Sequence, residues 1–174
     1  MNYFVFNAPM EEDPLQKFFD AEKNFNKEEE LTIYLNSDGG SCSVMYTLMH
    51  YIDNYPKDVT IVSVGMVCSC AWSLFMFSNS KKVVMPMTEG VIHLYSIDIS
   101  VREMKDKKCT TYSEMKDLDK DNTKFLEDIS LLGIKSKIVK DVSNGKDVTV
   151  FNAELRRQAR MAQKLFYKPK KGAK

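Results

Sequence analysis

Short apolar runs alternate with amphipathic stretches over the first 95 positions. Asn2 to Asn7 alternates loosely and is rich in aromatics, which predicts a strand. Pro14 opens a helix through about Asn26, with Leu15, Phe18, Phe19 and Phe25 mainly on one face. Leu31 to Leu35 reads as a buried strand, stopped by the turn Asn36-Ser37-Asp38-Gly39-Gly40. Ser41 or Ser43 is placed to cap a helix carrying Val44, Leu48, Met49 and Ile52 to about Tyr55. Val59 to Val64 is a second buried strand, closed by Gly65, and an apolar helix follows from Cys70 to Phe77. Lys82 to Met85 and Val91 to Leu94 are further strands, with Pro86 to Gly90 turning the chain between them. Strands and helices alternating at this spacing predict βαβ units, an α/β class and a mainly parallel sheet.

The pattern changes after Tyr95. Between Arg102 and Asp128 there are 15 Lys, Arg, Asp or Glu residues, with Met115, Leu118, Phe125, Leu126 and Ile129 as the apolar positions. This predicts a long helix exposed on much of its surface, projecting or packing on a partner. A short helix to about Val142, the Asn144-Gly145 turn and an extended Val148 to Phe151 come next. Asn152 is positioned to cap a helix from Ala153 to about Phe166, and a flexible basic tail spans 167–174.

Composition narrows the class. The 174 residues allow one domain, placed at 1–166, with 44% hydrophobic and 28% charged residues. Net charge is +1, so no broad nucleic-acid-binding face is expected. No run approaches the roughly 20 apolar residues of a membrane span. The start has no basic segment followed by a long apolar one, so the expectation is a cytoplasmic protein without a signal peptide. Cys42, Cys68, Cys70 and Cys109 then read as reduced thiols, and Cys68-Ser69-Cys70 without a second pair is no zinc pattern. No metal or cofactor is expected.

Candidate chemistry collects at the turns after buried strands, because parallel sheets place their sites beyond the carboxyl ends of strands. The Gly39-Gly40 pair leaves backbone N–H groups uncovered, which suits an oxyanion. Ser69 stands at the start of the apolar helix, in the positive field of its N-terminus. His93 closes an apolar strand. A serine nucleophile needs a base, and a histidine base needs a carboxylate. The residues alone leave other readings open: Ser69 as a helix cap, His93 as structural, the glycines as a plain turn, and any of 13 aspartates as third member. His50, within the Met/Leu/Tyr helix, reads as packing or surface.

Taken together these segments resemble the proteolytic subunit of the Clp serine protease, within the crotonase-like superfamily. Its N-S-P-G-G turn matches Asn36 to Gly40, with Asp38 in place of proline. Its G-x-A-[AS]-S-M-[GA] segment matches Gly65 to Ala71, with Trp72 following where small residues are usual. Its histidine strand matches Val91 to Tyr95, and its late R-D-x-x-[ML] segment matches Lys146 to Leu155. The likeness spans roughly Tyr3 to Gln158.

The resemblance implies a spiral of βαβ units with a handle at about 100–132. It implies Ser69 as nucleophile, His93 as general base, Asp147 as orienting carboxylate, and the N–H groups of Gly40 and Cys70 as oxyanion hole. A serine endopeptidase cleaving polypeptides inside a homo-oligomeric ring or double ring follows, with an unfoldase ATPase or related Clp subunits as partners. The family's N-terminal axial loop and first helix have no counterpart in the match. A structural or accessory subunit of such a ring, weak or inactive in catalysis, is the alternative. A crotonase-type acyl-CoA hydratase or isomerase shares the fold but calls for a catalytic Glu and a CoA pocket.

Overall fold

The computed structural model describes residues 1–97, 105, 108 and 110–170. They divide into two compact units, Met1–Ile92 with Val148–Lys174, and His93–Asp147.

The first unit is built on β1 (Asn2–Asn7), β2 (Leu31–Ser37), β3 (Val59–Cys68), β4 (Lys81–Val84), β5 (Glu89–Ile92) and β6 (Val148–Phe151). The order is β1-β2-β3-β5-β6, with β4 also pairing β3. All pairings are parallel except the last, where β6 runs antiparallel to β5. The α/β class and mainly parallel sheet expected from the alternation are what the chain forms. One long strand serves two partners on the same side. Thr60 to Ser63 pair with β4, and Met66 to Cys68 pair with β5.

β3 therefore runs through Gly65, where the sequence pattern had closed it. The register slips between Leu35 and Ser37 of β2, and Asn36 bridges the slip. Its Oδ1 accepts from the Met66 N–H at 2.7 Å, and its Nδ2 donates to Asn7 Oδ1 at 2.6 Å. A Cβ on Gly65 would meet that Oδ1 at 2.7 Å, so glycine is what lets the strand bend and continue.

Helices α1 (Glu12–Glu22), α2 (Cys42–Asn54), α3 (Cys70–Phe77) and α6 (Asn152–Phe166) belong to this unit. Phe18 of α1 is fully buried and meets Phe4 and Tyr51 edge-on, at centroid distances of 5.1 and 5.0 Å. α1 starts two residues before Pro14, whose missing N–H costs nothing in a first turn. It ends short of the expected Asn26, because Asn26 is taken by Asn2: the Asn2 amide donates to its carbonyl at 2.7 Å and accepts its N–H at 3.0 Å. Every residue of α3 from Cys70 to Met76 is buried, which is why its sequence shows no polar face. Asn152 does not cap α6; Phe151 holds that position, and Asn152 Nδ2 donates to the Met85 carbonyl at 2.8 Å.

Residues 167–170, at the start of the expected basic tail, carry hydrogen bonds to buried Asp58. Tyr167 Oη donates to its Oδ2 at 2.6 Å and the Lys170 N–H to its Oδ1 at 2.9 Å. Burial opposes a charge on Asp58, yet these donors and Lys81 outweigh it and hold the pKa below the ordinary carboxylate value.

The second unit carries α4 (Thr110–Leu131) and α5 (Ser136–Ser143). Phe125, Ile129, Leu132, Ile134 and Val142 are buried, and Asn122 clamps the backbone of Tyr95 by two hydrogen bonds of 2.8 and 3.0 Å. The remaining surface of α4 is charged and exposed, as its sequence predicts. Cys109 and much of the start of the expected handle lie outside the described residues. Among the described residues, no helix is long and apolar enough to cross a membrane.

Candidate active site

Ser69 lies between the end of β3 and the start of α3, with φ 54° and ψ −126°. A positive φ is costly for any residue with a Cβ, about 1–3 kcal/mol, and persists only where its surroundings impose it. Here the Ser69 N–H donates to the Val91 carbonyl at 2.9 Å, while its own carbonyl accepts from the Ser73 N–H at 3.1 Å. The tie to β5 and the first turn of α3 together force the bend. Ser69 occupies the N-cap position, but its side chain makes no capping bond. The cap reading of this serine holds for its position and not for its side chain.

The glycine turn lies against it. A Cβ on Gly39 would stand 2.6 Å from Ser69 Cβ, 2.8 Å from the Cys68 carbonyl and 3.2 Å from Ser69 Oγ, and φ at Gly39 is +103°. Only glycine fits. The turn is pinned from behind by Met10, whose N–H donates to the Gly39 carbonyl at 2.6 Å and whose carbonyl accepts from the Ser41 N–H at 2.8 Å. The Gly40 N–H takes no part in that bridge. Cys70 is the first residue of α3, so its N–H has no acceptor within the helix. Among the described residues, neither the Gly40 nor the Cys70 N–H donates to a backbone or side-chain oxygen. Two donors, a hydroxyl in an imposed turn and a helix N-terminus make a place where negative charge can be received. Asp38 is exposed.

Two cysteines flank this place. Cys42 is the first residue of α2, behind the cap Ser41, and its Sγ lies 3.3 Å from Cys70 Sγ. That hydrogen bond, with burial, pushes the Cys70 thiol well up. Burial likewise raises the Cys68 thiol. Trp72, large for a position near a reactive serine, is fully buried and turned elsewhere: its Nε1 donates to Gln158 Oε1 of α6 at 3.3 Å, and its ring meets Gly90.

β5 ends at Ile92, so His93 follows the strand instead of closing it. It is half-buried, and its Nδ1 donates to the Leu94 carbonyl at 2.8 Å. A carbonyl only accepts, so in this hydrogen bond Nδ1 carries the proton. Asp147 is exposed and makes no hydrogen bond to His93. The structure thus brings Ser69, Gly39, Gly40 and Cys70 together, and the hydrogen bond of His93 Nδ1 goes to the Leu94 carbonyl and not to Asp147. His50 lies exposed on α2, with its ring against Asn54, as read.

Met10 and Asn36 were missed as supporting residues. Asn36 stood inside the turn motif, but only the register slip reveals its task. Nothing in the sequence around Met10 marks its contact with a turn 30 positions later. Among the described residues no group of three or more His, Cys, Asp or Glu side chains is arranged to hold a metal.

A model of the Clp protease family matches residues 14–130 of the chain. ATP-dependent Clp protease proteolytic subunit 2 from Bacillus licheniformis is 34% identical over 77 residues, covering 44% of this chain and 39% of that protein. The chain therefore matches well under half the length of that curated relative. A solved structure of a ClpP1 mutant from Listeria monocytogenes superposes with a TM-score of 0.70 at 15% identity, over 91% of this chain and 87% of that one. At that identity the likeness speaks for the fold.

Proposed function

Because the chain belongs to the Clp protease family, we propose that it is a serine endopeptidase acting on polypeptides in an oligomeric chamber. The single observation that carries the reading is Ser69, held at positive φ on a helix N-terminus beside the Gly40 and Cys70 N–H groups, for which no oxygen acceptor is found among the described residues. In the proposed reaction Ser69 Oγ attacks a peptide carbonyl carbon while His93 Nε2 takes the hydroxyl proton. The carbonyl oxygen, now negative, accepts from the Gly40 and Cys70 N–H groups, each such donor being worth about 10²–10³ in rate. Collapse expels the amine with the proton from His93, and water then repeats the sequence on the acyl-serine.

The contact of His93 Nδ1 with the Leu94 carbonyl supports the tautomer this requires. Asp147 is proposed as the carboxylate that takes over Nδ1–H from the Leu94 carbonyl in the working state, since a carboxylate stabilises an imidazolium as a carbonyl does not. A homo-oligomeric ring is the proposed assembly. Val5, Tyr34, Val64 and Met66 leave an apolar face of the sheet exposed, suited to a neighbouring copy. Cytoplasmic residence and feeding by an unfoldase ATPase or related Clp subunits complete the proposal.

The test is labelling by a fluorophosphonate probe. Ser69 should be labelled, Ser69→Ala should not, and His93→Ala should lose labelling and peptide hydrolysis while keeping its fold. Absence of labelling, or equal labelling of Ser69→Ala, overturns the reading. One observation favours the accessory-subunit alternative: exposed Asp147 does not engage His93. Native mass measurement of the chain alone, and mixed with related Clp subunits, separates a homo-oligomer from an accessory subunit.

A further inference from the structure

Cys42 and Cys70 do not enter the proposed chemistry, yet they bracket it. Cys42 stands two residues after Gly40, and Cys70 is itself the second oxyanion donor through its N–H. Each is the first residue of a helix, α2 and α3. Their sulfurs are in hydrogen-bond contact at 3.3 Å, although the residues are 28 positions apart in the chain.

We propose that Cys42 and Cys70 form a reversible disulfide that switches the candidate oxyanion hole off, an inference that rests on the serine-peptidase reading of that site. Covalent closure shortens the sulfur separation from 3.3 Å to about 2.05 Å. The sulfurs close that difference by side-chain rotation together with movement of the two helix starts, to which the Gly40 turn and the Cys70 N–H are attached. A misplacement of about 1 Å in reacting geometry costs on the order of a hundred-fold in rate. The turn has little room to adapt, since even a single added carbon on Gly39 would stand 2.6 Å from Ser69 Cβ and Met10 pins the other side.

The two thiols have unequal tasks. Cys42 is half-buried at the first position of its helix, so its sulfur is the more accessible of the two. Cys70 is buried and its thiol is held protonated by its neighbour and by burial. Cys42 is thus the entry point for an oxidant and Cys70 the resolving group. With a small disulfide RSSR, the Cys42 thiolate attacks one sulfur, forms a mixed disulfide and releases RS⁻. Cys70 then loses its proton to solvent, attacks Cys42 Sγ and expels the second RS⁻. The net change is two protein thiols and RSSR to one protein disulfide and two RSH, with two electrons passed to the oxidant. An excess of dithiol reverses it.

The experiment uses the full chain, reduced and then treated with oxidised glutathione. Peptide mass spectrometry should find Cys42 linked to Cys70, and fluorophosphonate labelling of Ser69 should slow by about a hundred-fold and recover with dithiothreitol. Cys42→Ser should be labelled at the wild-type rate when reduced and keep that rate after oxidation. Cys68→Ser should behave as wild type. A crosslink through Cys68 or Cys109 instead, no crosslink, or a Cys42–Cys70 crosslink with unchanged labelling each overturns the switch. Loss of the peptidase reading has a different signature, because the reduced protein would then go unlabelled while the crosslink would still be read by mass.

Discussion

Replacing Gly39 by alanine places one methyl group where the structure has no space. The new carbon would stand 2.6 Å from Ser69 Cβ and 2.8 Å from the Cys68 carbonyl oxygen. The first separation falls about 1 Å short of ordinary carbon–carbon contact at 3.5–4.0 Å. Two costs follow. Holding alanine at φ +103° destabilises the fold by about 1–3 kcal/mol. Relieving the overlap moves either the turn or Ser69 by most of an ångström, which slows acylation by about a hundred-fold. Gly145→Ala supplies the control: φ there is +75°, but a Cβ meets nothing within 4 Å, so only the strain remains. The assay pairs thermal unfolding with the second-order rate of fluorophosphonate labelling. Both variants should unfold at lower temperature, and only Gly39→Ala should label slowly. If folded Gly39→Ala labels within about three-fold of wild type, less than 1 kcal/mol in barrier, the turn does not set the position of the hydroxyl and the reasoning fails.

Asp147→Asn should lower peptide hydrolysis by up to about 10⁴ if the carboxylate takes the imidazole proton in the working state, as proposed; an unchanged kcat would assign orientation of the ring to the Leu94 carbonyl. Asn36→Ala removes the acceptor of the Met66 N–H and should cost about 1 kcal/mol in denaturant unfolding and slow labelling of Ser69, and no change in either would show the bend to be held otherwise. Lys82 is buried, with Nζ donating to the carbonyls of Ser78 and Ser80 behind α3, and burial lowers its pKa from 10.5 to about 7. Below pH 7 it is charged in both states and the burial cost is fully present; between about 7 and 10.5 only the unfolded chain holds the proton, so stability rises with pH there, by up to about 1.4 kcal/mol per pH unit. Unfolding curves of wild type and Lys82→Met across that window should diverge with this sign, and parallel curves would refute it.

The strands and the central helix were legible because burial on both faces leaves unbroken apolar runs, as in Leu31 to Leu35 and Cys70 to Phe77. Ser69 and the glycine pair were legible because a turn after a buried strand has few residues able to make it. The boundaries that failed were set by distant partners. Asn26 left its helix for Asn2, and β3 passed Gly65 because Asn36 offered an acceptor. β5 stopped before His93, and so changed the histidine from a strand residue to a loop residue bonded to its own neighbour. None of these has a local signal, since each depends on a side chain roughly 24 or more positions away or on where pairing with another strand ends. The pairing of Cys42 with Cys70 belongs to the same class: neither residue carries a metal or redox motif, and only the packing of two helix starts brings the sulfurs together.

A strand of ten residues with two partners on one side need not open as a unit. The amides of Thr60 to Ser63 are locked between β2 and β4, while those from Met66 onward sit beyond the bend and are shared with four-residue β5. Deuterium should therefore enter the two halves of β3 at different rates, the first only when the whole unit unfolds, the second through smaller excursions. Such an arrangement lets the segment leading to Ser69 breathe without loosening the rest of the sheet.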